Sequence, residues 1–375
     1  MKKLDIEICD VTLRDGEQTP GVSFTCDEKL DIARSLDAIG VEVIEAGFPS
    51  VSEDEKKSIK KITKAGFDAR ICCLSRAVRS DVDAAIDCDV DLVSIFIATS
   101  DLHIRVKYKK SREEVLAQAL DMVDYAIDHG LQVRFSAEDG SRTDLSFLKE
   151  MFRQGCEHGA AYSSIADTVG CLTPLEIADG VRYLTDGLGN KLCVHLHNDM
   201  GMATANAFTA AECGAFQLHT TVNGIGERAG NASLEELLVA LRMKGGVDRY
   251  DLTHLTELSR MVSRYSGVQV SKTKAIVGDN AFSHESGIHI AALIVDSSTY
   301  EYFPPKMVGG EQKFILGKHT GRKALEHVVK ALGYQLTEAQ MDMVLYDVKV
   351  RSEGKCAITP KVLMEIVERV RGTCD

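Results

Sequence analysis

No apolar run in this 375-residue chain approaches the roughly 18 residues that a membrane-spanning helix needs. The opening Met1-Lys2-Lys3-Leu4-Asp5 leads straight into a strand-like segment, with no room for a signal peptide. A bilayer or a secretory route is therefore not expected, and a cytoplasmic location is. No Cys-x-x-Cys pair occurs either. The 11 cysteines are scattered, and Cys9, Cys72, Cys73 and Cys193 sit inside apolar strand-like runs. Buried reduced thiols explain that placement better than disulfides or a cysteine-zinc module. Positive charge is in deficit. The net charge of −12 argues against sequence-independent nucleic-acid binding and leaves any anionic substrate to local cations. There is no low-complexity linker. What remains is the composition of an ordinary globule, 45% hydrophobic and 27% charged, with length for one large or two moderate domains.

Short apolar runs recur near 5–12, 41–46, 69–74, 91–98, 131–136, 161–166, 192–197 and 216–222. Amphipathic stretches such as 27–38 and 112–129 lie between them, and the second sets Val115, Ala119, Met122, Val123 and Ala126 on one stripe. Glycines 40, 66, 130, 159 and 214 stand where helices should stop. Eight strand–helix units predict an α/β fold, a (β/α)8 TIM barrel, over residues 1–275. A doubly wound sheet is the alternative. It wants a glycine-rich phosphate turn after its first strand, and none is there. Gly224-Ile225-Gly226-Glu227-Arg228-Ala229-Gly230 follows the eighth run instead and has one residue too many. Across 276–375 the pattern changes to a small α-rich appended region, with an aromatic loop at 300–305 and helical stretches at 323–332 and 337–351.

In such a barrel the reacting groups sit at the C-terminal ends of the strands, and the polar motifs fall there. Arg14 and Asp15 follow strand 1, Glu138, Asp139 and Arg142 follow strand 5, and Asp167 and Thr168 follow strand 6. His195 and His197 end strand 7, and Asn223 and Glu227 follow strand 8. His195-Leu196-His197 is the most telling stretch. Strand alternation points both imidazoles the same way, one pleat apart, where they can share a divalent metal. Asp10-Val11-Thr12-Leu13-Arg14-Asp15-Gly16-Glu17-Gln18 offers Asp15 as a third ligand. Two nitrogens and one carboxylate leave positions open for substrate and water. A cation so held polarises a carbonyl without redox chemistry. Arg14 can reach a developing alkoxide, and Thr168 offers a hydroxyl to a carboxylate. The set suits a 2-oxo acid. The base that generates its carbanion partner has two candidates, His289 and Glu138.

These motifs resemble those of the 2-isopropylmalate/homocitrate synthases, the condensing members of the DRE-TIM metallolyases. Segments 10–18, 135–142, 167–174, 195–201, 223–231, 286–289 and 317–322 carry the resemblance, in order, over nearly the whole chain. It implies condensation of acetyl-CoA with a 2-oxo acid, followed by thioester hydrolysis. It implies Asp15, His195 and His197 as metal ligands with Asn231 close by, the ion being Mg, Mn, Zn or Co. Arg14 would stabilise the oxyanion, and Gln18, Thr168 and Arg142 would hold the 2-oxo acid. His289 and Tyr302 would act on acetyl-CoA from the appended region, in a domain-swapped homodimer. Arg134, an inward strand residue, is expected to face the barrel mouth and pair with the distal carboxylate of 2-oxoglutarate, as in homocitrate synthases. A histidine that some of them place near Val78 is absent. The long C-terminal regulatory region of many isopropylmalate synthases has no counterpart, so feedback of that kind is not expected. The alternatives on this scaffold are 2-isopropylmalate synthase acting on 2-oxoisovalerate, citramalate synthase acting on pyruvate, and a Re-type citrate synthase acting on oxaloacetate. A lyase of the hydroxymethylglutaryl-CoA type would want a cysteine in the 224–230 loop, and there is none. A non-catalytic scaffold predicts no turnover at all.

Overall fold

Eight parallel strands close on one another in chain order, with the last hydrogen-bonded back to the first. They are β1 (Glu7–Asp10), β2 (Val43–Glu45), β3 (Arg70–Arg76), β4 (Leu92–Ala98), β5 (Gln132–Glu138), β6 (Tyr162–Asp167), β7 (Lys191–Leu196) and β8 (Gln217–Thr220). Around them run α1 (Cys26–Ile39), α2 (Glu53–Thr63), α3 (Arg79–Asp87), the short α4 (Asp101–His103) and α5 (Arg112–Asp128). The ring is completed by α6 (Leu145–Glu157), α7 (Pro174–Thr185), α8 (Ala203–Glu212), α9 (Leu234–Lys244) and α10 (Leu255–Ser266). This is the expected TIM barrel. The computed structural model describes residues 3–372, and the chain divides into two units, Met1–Val270 and Ser271–Asp375.

The strands read as continuous apolar runs because both faces are covered, by helices outside and by packed side chains inside. The inner layer holds Cys9, Val11, Val43, Cys72, Leu92, Tyr162 and Cys193. The ten described cysteines are all free, and Cys9, Cys72, Cys73 and Cys193 are buried as expected. Burial pushes the Cys9 thiol up to about 12, so it stays protonated. The long helices cover the barrel with one stripe each; α5 buries Val115, Ala119, Val123 and Ala126. α1 starts at a capping box between Thr25 and Glu28 and ends at Gly40, whose φ of 93° suits a residue without Cβ.

In the second unit α11 (Gly287–Leu293) precedes α12 (Arg322–Ala331) and α13 (Glu338–Glu353), which occupy the two expected helical stretches. Two-residue strands β9 (Ser283–His284) and β10 (Lys313–Phe314) pair in parallel. A third long helix, α14 (Pro360–Gly372), was not anticipated. Its Leu363, Ile366, Val367 and Val370 have helical spacing and complete a separate core with Leu325, Val329, Met341, Val344 and Val348. Among the described residues no helix is long and apolar enough to cross a membrane.

Candidate active site

The turn after β1 curls because the Val11 carbonyl accepts the N–H groups of both Asp15, at 2.8 Å, and Gly16, at 3.1 Å. Arg14 and Asp15 are thereby presented at the C-terminal rim. Asp15 is 2% exposed. Its Oδ2 lies 2.5 Å from Arg14 Nη1, 3.4 Å from His195 Nε2 and 3.9 Å from His197 Nε2. Its Oδ1 accepts Asn231 Nδ2 at 2.7 Å and the Glu227 N–H at 3.3 Å. The imidazoles of His195 and His197 stand edge to face, 5.0 Å apart. One donor atom from each of Asp15, His195 and His197 falls within 4.8 Å of the other two.

The electrostatics suit a cation. Burial alone would raise Asp15, but Arg14 and the hydrogen bond from His195 outweigh it and hold the carboxyl well below its usual range. Burial, reinforced by His195, pulls His197 down to about 4, so its ring is neutral at physiological pH. The Nδ1 atoms of His195 and His197 and the Oδ1 of Asn231 are buried with no hydrogen-bond partner. The Nε2 atoms face Asp15, so an ion held among them is one way of relieving the buried Asn231 oxygen. The donor set of two imidazoles, one carboxylate and one amide oxygen fits a divalent metal.

Behind Asp15 runs a row of alternating charge. Arg14 Nε donates to Glu45 Oε1 at 2.5 Å, and the other Glu45 oxygen receives Arg134. Burial pushes Glu45 up, yet the two arginines more than offset it and keep the carboxyl ionised. Arg134 is 0% exposed, and its remaining donors reach Ser94 at 3.1 Å and Gln217 at 2.8 Å. This corrects the expectation that Arg134 faces the barrel mouth. Inward residues of β5 alternate, so Arg134 sits two residues below Ser136 and four below Glu138, beneath the floor of the cleft.

The cleft itself has a volume of about 260 Å³. Arg14, Asp15, His195 and His197 line it together with Gln18, Glu138 and Thr168, as expected. Thr168 Oγ1 accepts the Asp139 N–H at 2.8 Å, which leaves its hydroxyl hydrogen to donate. Glu138 Oε1 meets Lys107, and its Oε2 is buried without a partner. Arg142 is a second correction. It is absent from the lining, because its guanidinium forms a two-pronged pair with Asp139 at 2.8 and 2.9 Å. His289 and Tyr302 belong to the second unit. There the His289 ring stacks on Tyr300 at 3.9 Å, and Tyr302 is 64% exposed.

Several lining residues escaped sequence reasoning: Glu45, the hydroxyls of Ser94, Ser136 and Ser164, and His219. His219 lies 5.4 Å from His195, and burial followed by Arg134 holds it well below its usual value, hence neutral. A polar residue in an apolar parallel strand was the available signal, plainest in Val43-Ile44-Glu45.

Residues 5–262 match the family model described as HMGL-like, and 276–355 match "Homocitrate synthase post-HMGL domain-like". The chain belongs to the HMGL-like family. Within it the likeness extends to whole condensing synthases. Homocitrate synthase AksA of Methanosarcina acetivorans is 54% identical over 372 residues, covering 99% of this chain and 92% of that protein. The (R)-citramalate synthase CimA of Methanocaldococcus jannaschii is 47% identical over 98% of this chain and 75% of its own. Among solved structures, the HMG-CoA lyase of Bacillus subtilis superposes with a TM-score of 0.65 at 20% identity, over 72% of this chain and 97% of that one. At that identity the likeness speaks for the barrel fold alone.

Proposed function

We propose that this member of the HMGL-like family is a homocitrate synthase, joining the methyl carbon of acetyl-CoA to the keto carbon of 2-oxoglutarate and then hydrolysing the thioester. The observation that carries the reading is the convergence of Asp15, His195 and His197 beside Arg14 at one end of a hydroxyl-lined cleft. Identity of 50–56% to three homocitrate synthases, over nearly the whole chain, supports the substrate.

Asp15, His195 and His197, with Asn231 adjoining, would hold a divalent ion (Mg, Mn, Zn or Co), which when bound polarises the keto group and neutralises the adjoining carboxylate. Arg14 is clamped between Asp15 and Glu45 with its guanidinium on the cleft, where it meets the alkoxide that forms as the C–C bond is made. Thr168 donates its hydroxyl to the 2-oxo acid carboxylate, and Gln18 orients the same end. Arg134 is hydrogen-bonded to Ser94 and Glu45, both of which line the cleft. A distal carboxylate that reaches the floor engages it by taking over one of those bonds, and that exchange favours a 2-oxo diacid. Glu138 is the base on the barrel. His289 and Tyr302 act on acetyl-CoA from the second unit, in a cytoplasmic, domain-swapped homodimer.

CoA release with 2-oxoglutarate, 2-oxoisovalerate, pyruvate and oxaloacetate in parallel tests the reading. A clear preference for 2-oxoglutarate is expected. The specific rival is citramalate synthesis, favoured by the 47% identity to CimA, and a preference for pyruvate would replace the present reading with it.

A further inference from the structure

Lys29 is the anomaly of α1. It sits on the helix's apolar stripe among Leu30, Ile32, Ala33 and Leu36, and it is 1% exposed. Its ammonium meets three oxygens: Glu17 Oε2 at 2.6 Å, Glu55 Oε2 at 2.6 Å and the Leu13 carbonyl at 3.3 Å. The partners tie together two pieces of the barrel: the turn after β1, with Leu13 and Glu17, and α2, with Glu55. Leu13 immediately precedes Arg14 and Asp15. Glu17 lies in the turn between Asp15 and Gln18, and its other oxygen accepts the Phe24 N–H at 2.8 Å. Glu55 comes from α2, and its other oxygen accepts the Phe48 N–H at 3.2 Å, in the loop that follows Glu45. Gly47 leaves room for this: a Cβ there would stand 1.9 Å from Glu55 Oε1, and the φ of Gly47 is 154°.

A buried ammonium between two carboxylates is poor at adding stability, because desolvation consumes most of the Coulombic gain. It is good at fixing geometry, since any slip of one partner strands a charge in a dry interior. Here the fixed pieces are the turn that carries Arg14, Asp15 and Gln18 on one side and the loop that follows Glu45 on the other. We propose that Lys29, Glu17 and Glu55 form an ionic clamp that holds the Arg14–Asp15 edge and the Glu45 loop in the register the reaction needs. Lys29 is thus a positioning residue acting through the Leu13 carbonyl and two carboxylates. The inference rests on the functional reading of Arg14 and Asp15, and it explains why that motif carries Glu17, which touches none of the proposed ligands.

The test compares the full-length protein with the charge-free triple variant Glu17→Gln, Lys29→Met, Glu55→Gln, which removes the clamp without leaving an unpaired buried charge. Melting temperature, Mn²⁺ affinity by titration calorimetry, and kcat and KM are measured. The expected result is a folded variant whose Mn²⁺ affinity and kcat both fall at least about tenfold, the scale seen when the supports of metal ligands are removed. Lys29→Arg, which keeps a cation, should recover most of both. A folded triple variant with Mn²⁺ affinity and kcat within twofold of the parent overturns the proposal and leaves the triad as packing. Should the triple variant fail to fold, Glu55→Gln carries the test, since it removes one carboxylate of the clamp and leaves Lys29 paired with Glu17. Loss of Mn²⁺ affinity and kcat there supports the clamp, and parental values overturn it. If the parent turns over none of the four 2-oxo acids, the substrate reading fails, while the Mn²⁺ titration still decides the clamp.

Discussion

His197 shows how much one side chain is asked to do. It lies just past β7, is 7% exposed, and is kept neutral by burial and by His195. His197→Ala should abolish Mn²⁺ binding and lower turnover more than about a hundredfold, beyond the 10- to 100-fold typical of a lost supporting residue. Activity that survives in chelator-treated variant protein would refute the ligand assignment. Arg134 allows a finer test. Arg134→Gln removes the charge under the cleft floor while keeping a hydrogen-bonding amide against Glu45. Losing a charge-assisted pair costs about 1.5–3 kcal/mol, so kcat/KM for 2-oxoglutarate should drop roughly ten- to a hundredfold, and for pyruvate much less. Equal losses on both acids would show that Arg134 supports Arg14 and Glu45 without reading the distal carboxylate. Arg142→Ala should lower stability, because it strips the buried Asp139 carboxylate of its two-pronged partner, yet change KM for the 2-oxo acid less than about threefold, because Arg142 does not line the cleft.

At the scale of elements, β1 carries an unusual charge at its end. The Asp10 carboxyl accepts the Thr12 N–H at 2.9 Å and the Thr220 hydroxyl at 3.3 Å, joining β1 to β8. Burial nevertheless raises it from 3.8 to about 7. A carboxyl raised on folding binds its proton more tightly in the native state. Its cost is absent below about pH 4, grows as pH climbs from there to about 7, and is constant above. Asp10→Asn should therefore flatten that part of the stability profile. It should stabilise the fold at pH 8 by on the order of a few kcal/mol relative to its effect at pH 4. Urea unfolding at the two pH values measures this, and an identical shift at both would refute it. α1 and α2 have a different role. The amphipathic stretch of α1 and the glycines that follow both helices were legible, but the lysine inside the α1 stripe was not, because helical periodicity registers which face is buried and cannot say what a buried charge meets there.

The whole molecule responds to the ion as a ligand of the native state alone. Removing divalent cations with a chelator should abolish CoA release and lower the melting temperature. Restoring Mn²⁺ at a hundredfold excess over its Kd should return about 2.7 kcal/mol of stability. A melting temperature indifferent to chelator and Mn²⁺ would mean that nothing binds between Asp15 and the two histidines. The closed order β1 to β8 makes this linkage possible, since ligands from positions 15, 195 and 197 meet only when the first and last strands of the sheet are joined.

The sequence by itself determined the barrel, the meeting of Asp15 with His195 and His197, and most of the rim. Eight apolar runs with helical stretches between them admit few architectures, and the C-terminal strand ends collect the reacting groups by construction. Periodicity is a local property, readable one segment at a time. Depth within the barrel is not, and only the tertiary structure decided it. Arg134 and Ser136 point the same way along β5, yet one is sealed beneath the cleft and the other lines it, because the level of a side chain depends on how all eight strands stagger. Glu45 was found between two arginines, and Lys29 was found between two glutamates, for one reason. Which charge pairs with which is settled by distances of a few ångströms across segments far apart in the chain, and spacing along a single segment carries no trace of them.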